Sequence, residues 1–140
     1  MTHPGPRRAW RVLLLALALV GLAGCGAPAI QGTVTLDGAP VDGGAIRFTP
    51  SGGEGTAGSA GAQIIGGKYV IKGTTLAPGS YRVDINWKKP TGRKVPTPGD
   101  AGTTMDETAE AIPAIYNQKS TLKADITSGS NTKDFELKSH

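Results

Sequence analysis

The sequence predicts an all-β protein, a seven-stranded antiparallel β-sandwich that follows a helical, cleaved signal peptide. Apolar and polar residues alternate with a period of two in seven short stretches, the pattern of strands that bury one face. Turn-forming residues are abundant, with 21 Gly and 10 Pro among 140 residues. Because each stretch is apolar on one side only, the strands belong in antiparallel sheets packed face to face. The scarcity of helical patterns excludes a parallel α/β fold.

The predicted strands follow one another from residue 30 to residue 138. They cover residues 30–36, 46–49, 62–65, 68–72, 81–88, 122–126 and 134–138. Asp37-Gly38 predicts a tight turn, and Gly66-Gly67 predicts a two-residue hairpin. The glycine-rich segment 51–61 is interpreted as a connection, because it lacks the lysine and the strand-to-helix context of a phosphate-binding loop.

The clearest strand begins directly after Pro78-Gly79. Its inward positions are Tyr81, Val83, Ile85 and Trp87. At the start of this strand Tyr81 is expected to bury its ring while its hydroxyl bonds the backbone at the corner, as in the tyrosine corner of other sandwiches.

The first 24 residues have the organisation of a secretory signal peptide. Arg7, Arg8 and Arg11 precede a short apolar run, 12–20, and small residues follow it. Leu22-Ala23-Gly24-Cys25 resembles the bacterial lipobox, which implies a diacylglycerol on the Cys25 thiol and cleavage just before that residue. A signal peptide cut elsewhere is the competing interpretation, whereas the twelve residues 12–23 fall short of the ~20 that a transmembrane helix needs. The predicted division is a signal peptide at 1–24, a lipidated tether at 25–29 and a sandwich domain at 30–140.

Charge and composition exclude several function classes for the part that remains after cleavage. Its 116 residues carry twelve basic and eleven acidic side chains, a net charge of +1, which does not suit a nucleic-acid-binding protein. Cys25 is the single cysteine, and the two histidines are His3 and His140. A nucleophilic site that depends on histidine would lack that residue inside the domain, and a zinc site would lack histidine and cysteine ligands. We therefore expect no enzyme activity, metal or cofactor.

The segment 89–118 is the longest stretch without a predicted strand. Residues 89–100 are expected to be flexible, and 105–111 is expected to form a single helical turn that starts with acidic residues. The apolar residues Ile112, Ile115 and Tyr116 are expected to pack back on the sandwich. The candidate ligand-binding residues of this region are Lys88, Lys89, Arg93, Lys94, Asp106, Glu107 and Glu110.

These charges allow functional and purely solvated interpretations. The cations suit acidic glycans or lipid headgroups. The acids, together with Asp100, suit calcium, which takes 6–8 oxygen ligands, although their spacing matches no calcium loop. A solvated loop and a solvated helix start are the favoured alternatives.

Four stretches carry a resemblance to a known family. They are residues 32–41 with 45–50, residues 76–83 (Leu-Ala-Pro-Gly-Ser-Tyr-Arg-Val), residues 112–117 and residues 129–137. Together they resemble small planctomycete-type bacterial lipoproteins that contain one carboxypeptidase-regulatory-like, or transthyretin-like, domain. The resemblance implies a transthyretin-like or immunoglobulin-like sandwich but no activity, since a fold alone does not specify function. Hydroxyisourate hydrolysis, known from the transthyretin-like class, depends on histidines that this domain lacks.

The sequence therefore predicts a lipid-anchored β-sandwich of the cell envelope that serves as a structural or protein-interaction module, without catalysis. Its membrane contact is the diacylglycerol on Cys25. The outer membrane is favoured over the inner membrane, because Gly26 stands where an aspartate would favour retention in the inner one. The alternative is a ligand-binding module that contacts a glycan, a peptide or an ion through residues 89–118.

Overall fold

The computed structural model describes Met1 and residues 28–52, 58–72 and 76–140. The predicted signal peptide beyond Met1, the lipobox with Cys25, and the tether up to residue 27 lie outside the described residues. The strands are β1 Ala29–Leu36, β2 Ala39–Pro40, β3 Gly44–Pro50, β4 Ala60–Ile64, β5 Lys68–Ile71, β6 Gly79–Asn86, β7 Lys88–Pro96, β8 Thr104–Glu110, β9 Lys123–Ile126, β10 Ser130–Thr132 and β11 Phe135–Leu137. A short 3-10 helix, Ala114–Tyr116, lies between β8 and β9.

One sheet has four antiparallel strands in the order β4-β3-β6-β9. Its central pair is β3 and β6, in which Ile46 lies opposite Ile85 and Phe48 lies opposite Val83. These side chains are almost completely buried, whereas the residues between them are exposed or half-buried. The alternation in the sequence therefore becomes one dry face and one wet face, as predicted.

The second sheet is built around β1. The first half of β1 pairs with β5 on one edge and β10 on the other, and its second half pairs with β2 and β11. The pairs with β10 and β11 are parallel, so the prediction of purely antiparallel sheets is wrong here. A parallel pair needs a crossover instead of a tight hairpin. The other sheet, which comes between β1 and β10 in the chain, supplies that crossover.

The two sheets share one apolar core, which makes the all-β architecture sandwich-like. The Phe48 ring of the four-stranded sheet lies 6.1 Å from the Tyr69 ring and 6.4 Å from the Phe135 ring of the sheet around β1. The core consists of Ile30, Val34, Val41, Ile46, Phe48, Ile64, Tyr69, Ile71, Leu76, Tyr81, Val83, Ile85, Ile112, Ala124, Ile126, Phe135 and Leu137.

Four strand segments among the described residues were not predicted, namely β2, β7, β8 and β10. The expected helical turn at 105–111 is wrong, because β8 occupies 104–110, and the expected flexible stretch 89–100 is largely β7. An isolated helical turn is costly to nucleate, whereas a strand partner satisfies the backbone at once. Of the residues expected to pack back, Ile112 is buried and Tyr116 packs against the core, but Ile115 is 52% exposed.

The tyrosine corner is confirmed. The Tyr81 ring is buried, and its hydroxyl donates to the carbonyl oxygen of Ala77 at 2.7 Å. The same hydroxyl oxygen accepts from the Ala77 amide at 3.1 Å. The corner fixes the start of β6, one of the two central strands of the four-stranded sheet.

A second tyrosine ties the two edges of β1 together. Tyr69 on β5 lies opposite Gly32, and its hydroxyl donates across that glycine to the carbonyl oxygen of Lys133 at 2.7 Å. A Cβ on Gly32 would lie 1.8 Å from the same carbonyl oxygen, so only glycine fits there. Burial, assisted by the nearby negative charge of Asp134, raises the pKa of Tyr69 well above its usual range. The phenol is therefore a permanent hydrogen-bond donor at ordinary pH.

Candidate interaction surface on the β7–β8 ribbon

Strands β7 and β8, which cover most of the segment 89–118 for which no strand was predicted, form a two-stranded antiparallel ribbon. Lys88 lies opposite Glu110 at its root, and Pro96 lies opposite Thr104 near its tip. The register shifts between Pro90 and Lys94, where β7 contains extra residues. Thr97 and Thr103 close the tip through a backbone hydrogen bond of 3.0 Å.

Neither face of the ribbon packs on the core. Every residue of β7 and β8 is exposed except Val95 and Glu107, which are half-buried. A two-stranded ribbon without a hydrophobic face to bury is marginally stable in water. Its persistence therefore depends on the interactions between its own strands and on its root.

The side-chain interactions between the two strands include ion pairs, because β7 carries basic residues and β8 carries acidic ones. Lys94 Nζ lies 2.6 Å from Asp106 Oδ1, and Arg93 Nε lies 2.7 Å from Glu107 Oε2. Thr91 Oγ1 donates to the same Glu107 oxygen at 2.6 Å. Exposed pairs of this kind contribute only about 0–1 kcal/mol each.

The root of the ribbon is fastened to the sandwich by a side chain that caps the backbone. Glu110 Oε1 accepts from the amide of Trp87 at 2.7 Å and from the amide of Ile112 at 3.1 Å. The Ala111 amide donates to the Trp87 carbonyl at 2.8 Å. Lys89 Nζ lies 3.8 Å from the centre of the Trp87 ring, a cation–π contact.

The structure brings four of the seven predicted residues of this region into two ion pairs. Arg93 pairs with Glu107, and Lys94 pairs with Asp106. The candidate basic site and the candidate acidic site therefore bind each other across the ribbon. The remaining residues, Lys88, Lys89 and Glu110, lie at the root. In the part of the chain that the structure describes, no group of three or more His, Cys, Asp or Glu side chains is arranged to hold a metal ion.

Sequence reasoning missed a concave surface on the outer face of the four-stranded sheet. Arg47, Asp84 and Asn86 line it, together with Gln118 from the segment after the 3-10 helix. The alternation placed the three strand residues on the outside, but only the register between β3 and β6 shows that they are neighbours.

Comparison with other proteins adds no family assignment: the sequence matches no model of a known protein family and no curated protein sequence. Within residues 28–52, 58–72 and 76–140, no helix is long and apolar enough to cross a membrane.

Proposed function

We propose that this protein is a lipid-anchored, non-catalytic module of the cell envelope that binds another envelope protein through the β7–β8 ribbon. The observation that carries the proposal is a ribbon exposed on both faces and attached to a well-packed sandwich only at its root. Such a ribbon adds little to the stability of the domain that bears it. A binding partner would cover the surface that the domain leaves bare.

The position of the ribbon relative to the anchor supports this role. Ala29 at the start of β1 donates to the carbonyl of Gly129, beside the end of β9, and β9 ends opposite Gly79, the first residue of β6. The eight residues of β6 then run about 23 Å to the opposite end of the sandwich, where the ribbon begins. A lipid on Cys25, four residues before Ala29, would hold the first end within about 14 Å of its attachment point. The ribbon would then face away from the membrane.

The two edges of the ribbon differ in their capacity to accept a further strand. Pro90 and Pro96 on β7 remove backbone donors, a common protection of edge strands. The sequence of β8, Thr104–Glu110, contains no proline, and its sheet consists of β7 and β8 alone in the described residues. We therefore infer that a partner adds its strand to β8 through backbone hydrogen bonds.

The sequence supports the other parts of the proposal. The lipobox at 22–25 supports lipidation, Gly26 favours the outer membrane, and the absence of histidine between residues 4 and 139 speaks against an enzyme. The motif at 76–83, which contains the tyrosine corner, supports assignment to the transthyretin-like or carboxypeptidase-regulatory-like domains. The alternative, ligand binding by residues 89–118, is supported at its end, because Asn117 and Gln118 line the concave surface.

The anchor and the ribbon are tested separately. Cys25→Ser is expected to abolish palmitate labelling and to release the protein from the membrane fraction in its native cells. Replacement of residues 90–108 by Asn-Gly joins Lys89 to Ala109 by a two-residue hairpin. In the intact protein, a photo-crosslinker at position 111, directly after β8, should form an adduct with the partner. The shortened variant with the same crosslinker should keep its melting temperature but form no such adduct.

A photo-crosslinker on Ser130, an exposed position of β10 opposite Ala29 and therefore at the end of the sandwich away from the ribbon, serves as the matched control. Equal adducts from both positions, or unfolding of the shortened variant, would contradict the role of the ribbon. Retention of the Cys25→Ser variant in membranes with its label would contradict the anchor without touching the ribbon proposal.

A further inference from the structure

The outer face of the four-stranded sheet contains an open cleft of about 630 Å³. This volume lies in the range of small-molecule binding sites. Strands β3, β4 and β6 form its floor, and the segment after the 3-10 helix forms one wall. The polar side chains that line it include Arg47, Gln63, Arg82, Asp84, Asn86 and Gln118.

Small residues on the floor and a fixed wall make this surface concave. Gly61 on β4 lies opposite Arg47 on β3, so no side chain covers the guanidinium stem from that side. Ala45, the next outward position of β3, is equally small. The wall is rigid because Asn117, 5% exposed, donates through Nδ2 to the Ile112 carbonyl at 3.1 Å and accepts from the Gln118 amide at 2.6 Å.

The charges of the cleft are incompletely paired. Arg82 Nη2 lies 2.9 Å from Asp84 Oδ2, while Asp84 Oδ1 is buried without a hydrogen-bond partner among the described residues. Arg47 lies directly across from Asp84, yet no described residue forms an ion pair with Arg47. The site therefore offers one free guanidinium, a second one held by a carboxylate, and one carboxylate oxygen that lacks a donor.

We propose that this cleft binds an acidic saccharide. A sugar carboxylate would pair with Arg47 through two parallel hydrogen bonds, the geometry that guanidinium groups favour. The carboxamides of Gln63, Asn86 and Gln118 each offer donors and an acceptor to the ring hydroxyls. When Arg47 turns toward the sugar carboxylate, a sugar hydroxyl could reach Asp84 and donate the hydrogen bond that Asp84 Oδ1 lacks.

The composition of the lining distinguishes this ligand from other classes. No aromatic side chain lines the cleft, so stacking cannot supply the affinity that a neutral sugar would need. The central floor strands β3 and β6 are paired on both sides, and the unpaired edge of β4 lies at the border of the sheet, so an extended peptide could not pair with the backbone beneath Arg47. The net positive charge of the side chains selects an anion. The proposal is independent of the ribbon and of the anchor.

The test is isothermal titration of the full-length protein in detergent with trigalacturonate and with 3′-sialyllactose. At least one of them is expected to bind ten or more times tighter than maltotriose and hexaglutamate, with an affinity that falls as salt is added. Arg47→Gln should weaken binding at least tenfold. Lys68→Gln, which removes the same charge from an exposed position of β5 in the other sheet, should change it less than twofold.

A second variant fills the cleft without altering its charge. Ala45→Gln places a longer side chain on the exposed face and should also weaken binding at least tenfold, with an unchanged melting temperature for both cleft variants. Four results would overturn the proposal: no binding of either acid, equal binding of hexaglutamate, equal effects of Arg47→Gln and Lys68→Gln, or full affinity of Ala45→Gln. If Arg47→Gln unfolds, Ala45→Gln decides alone.

Discussion

Gly32→Ala should destabilise the protein far more than the loss of glycine flexibility suggests. The new methyl carbon would lie 1.8 Å from the carbonyl oxygen of Lys133 and 2.6 Å from its carbonyl carbon. Both atoms belong to the backbone between β10 and β11, so no side chain can turn away to relieve the clash. The backbone of the edge itself must move.

The expected cost follows from what this movement breaks. Overpacking of a close-packed site costs about 1–3 kcal/mol. Displacement of the Lys133 carbonyl also removes the acceptor of the buried Tyr69 hydroxyl, which adds about 1–3 kcal/mol. The sum, about 2–6 kcal/mol, is a large share of the ~5–15 kcal/mol by which domains are stable. A loss of ~3 kcal/mol lowers the melting temperature by at least about 10 °C in a domain of this size.

The assay is thermal and urea unfolding of Gly32→Ala, with Gly52→Ala as control. A Cβ on Gly52 meets nothing within 4 Å, and its variant should unfold within about 0.5 kcal/mol of the parent. Since Gly32 and Tyr69 act on one carbonyl, Gly32→Ala combined with Tyr69→Phe should cost ~1 kcal/mol less than the sum of the two changes. A melting temperature of Gly32→Ala within 2 °C of the parent would refute the reasoning, as would strict additivity.

Three further predictions concern single side chains. Because burial raises the folded-state pKa of Tyr69 above its ordinary value near 10, the folded protein favours the neutral phenol. Stability should be full below about pH 10 and fall above it, and Tyr69→Phe should weaken that fall in urea titrations at pH 9–11. Glu110→Ala frees two amides at the ribbon root, so their hydrogen exchange should accelerate at least tenfold with little change in global stability. Equal exchange in Glu110→Ala and in the control Glu136→Ala would contradict the capping role. Asn131, 6% exposed, bonds the amide and the carbonyl of Thr127 at 2.9 and 2.8 Å. Asn131→Ala should cost about 2–4 kcal/mol in urea unfolding, and a loss below 0.5 kcal/mol would show that water replaces the side chain.

Local patterns predicted much of the fold. The alternation from Tyr81 to Ile85 identified β6 and its buried face, and Pro78-Gly79 with Tyr81 identified the corner that opens it. The Asp37-Gly38 turn was equally readable, since both residues adopt positive φ angles, 52° and 82°, between β1 and β2. In each case the decisive interactions lie within a few residues along the chain.

The misses depend on partners that are distant in the sequence. The ribbon has almost no buried face, so it gives no alternation of burial, and the acids of β8 imitate a helix start. Its strands meet instead through cross-strand contacts such as that of Arg93 with Glu107. The parallel pairing of β1 with β11 joins Val34 to Phe135, and the cleft depends on the register that sets Arg47 opposite Asp84. No local signal specifies these relations.

The central position of β1 in its sheet limits the order in which the domain can fold. β1 is the first strand of the domain, yet its two parallel neighbours, β10 and β11, are the last ones in the described chain. Contacts between such remote segments slow folding, because the intervening chain must be ordered before they form. A polypeptide emerging from its N-terminus cannot complete this sheet until residue 137 has arrived. During synthesis the sheet around β1 therefore stays incomplete until its last two strands have been made.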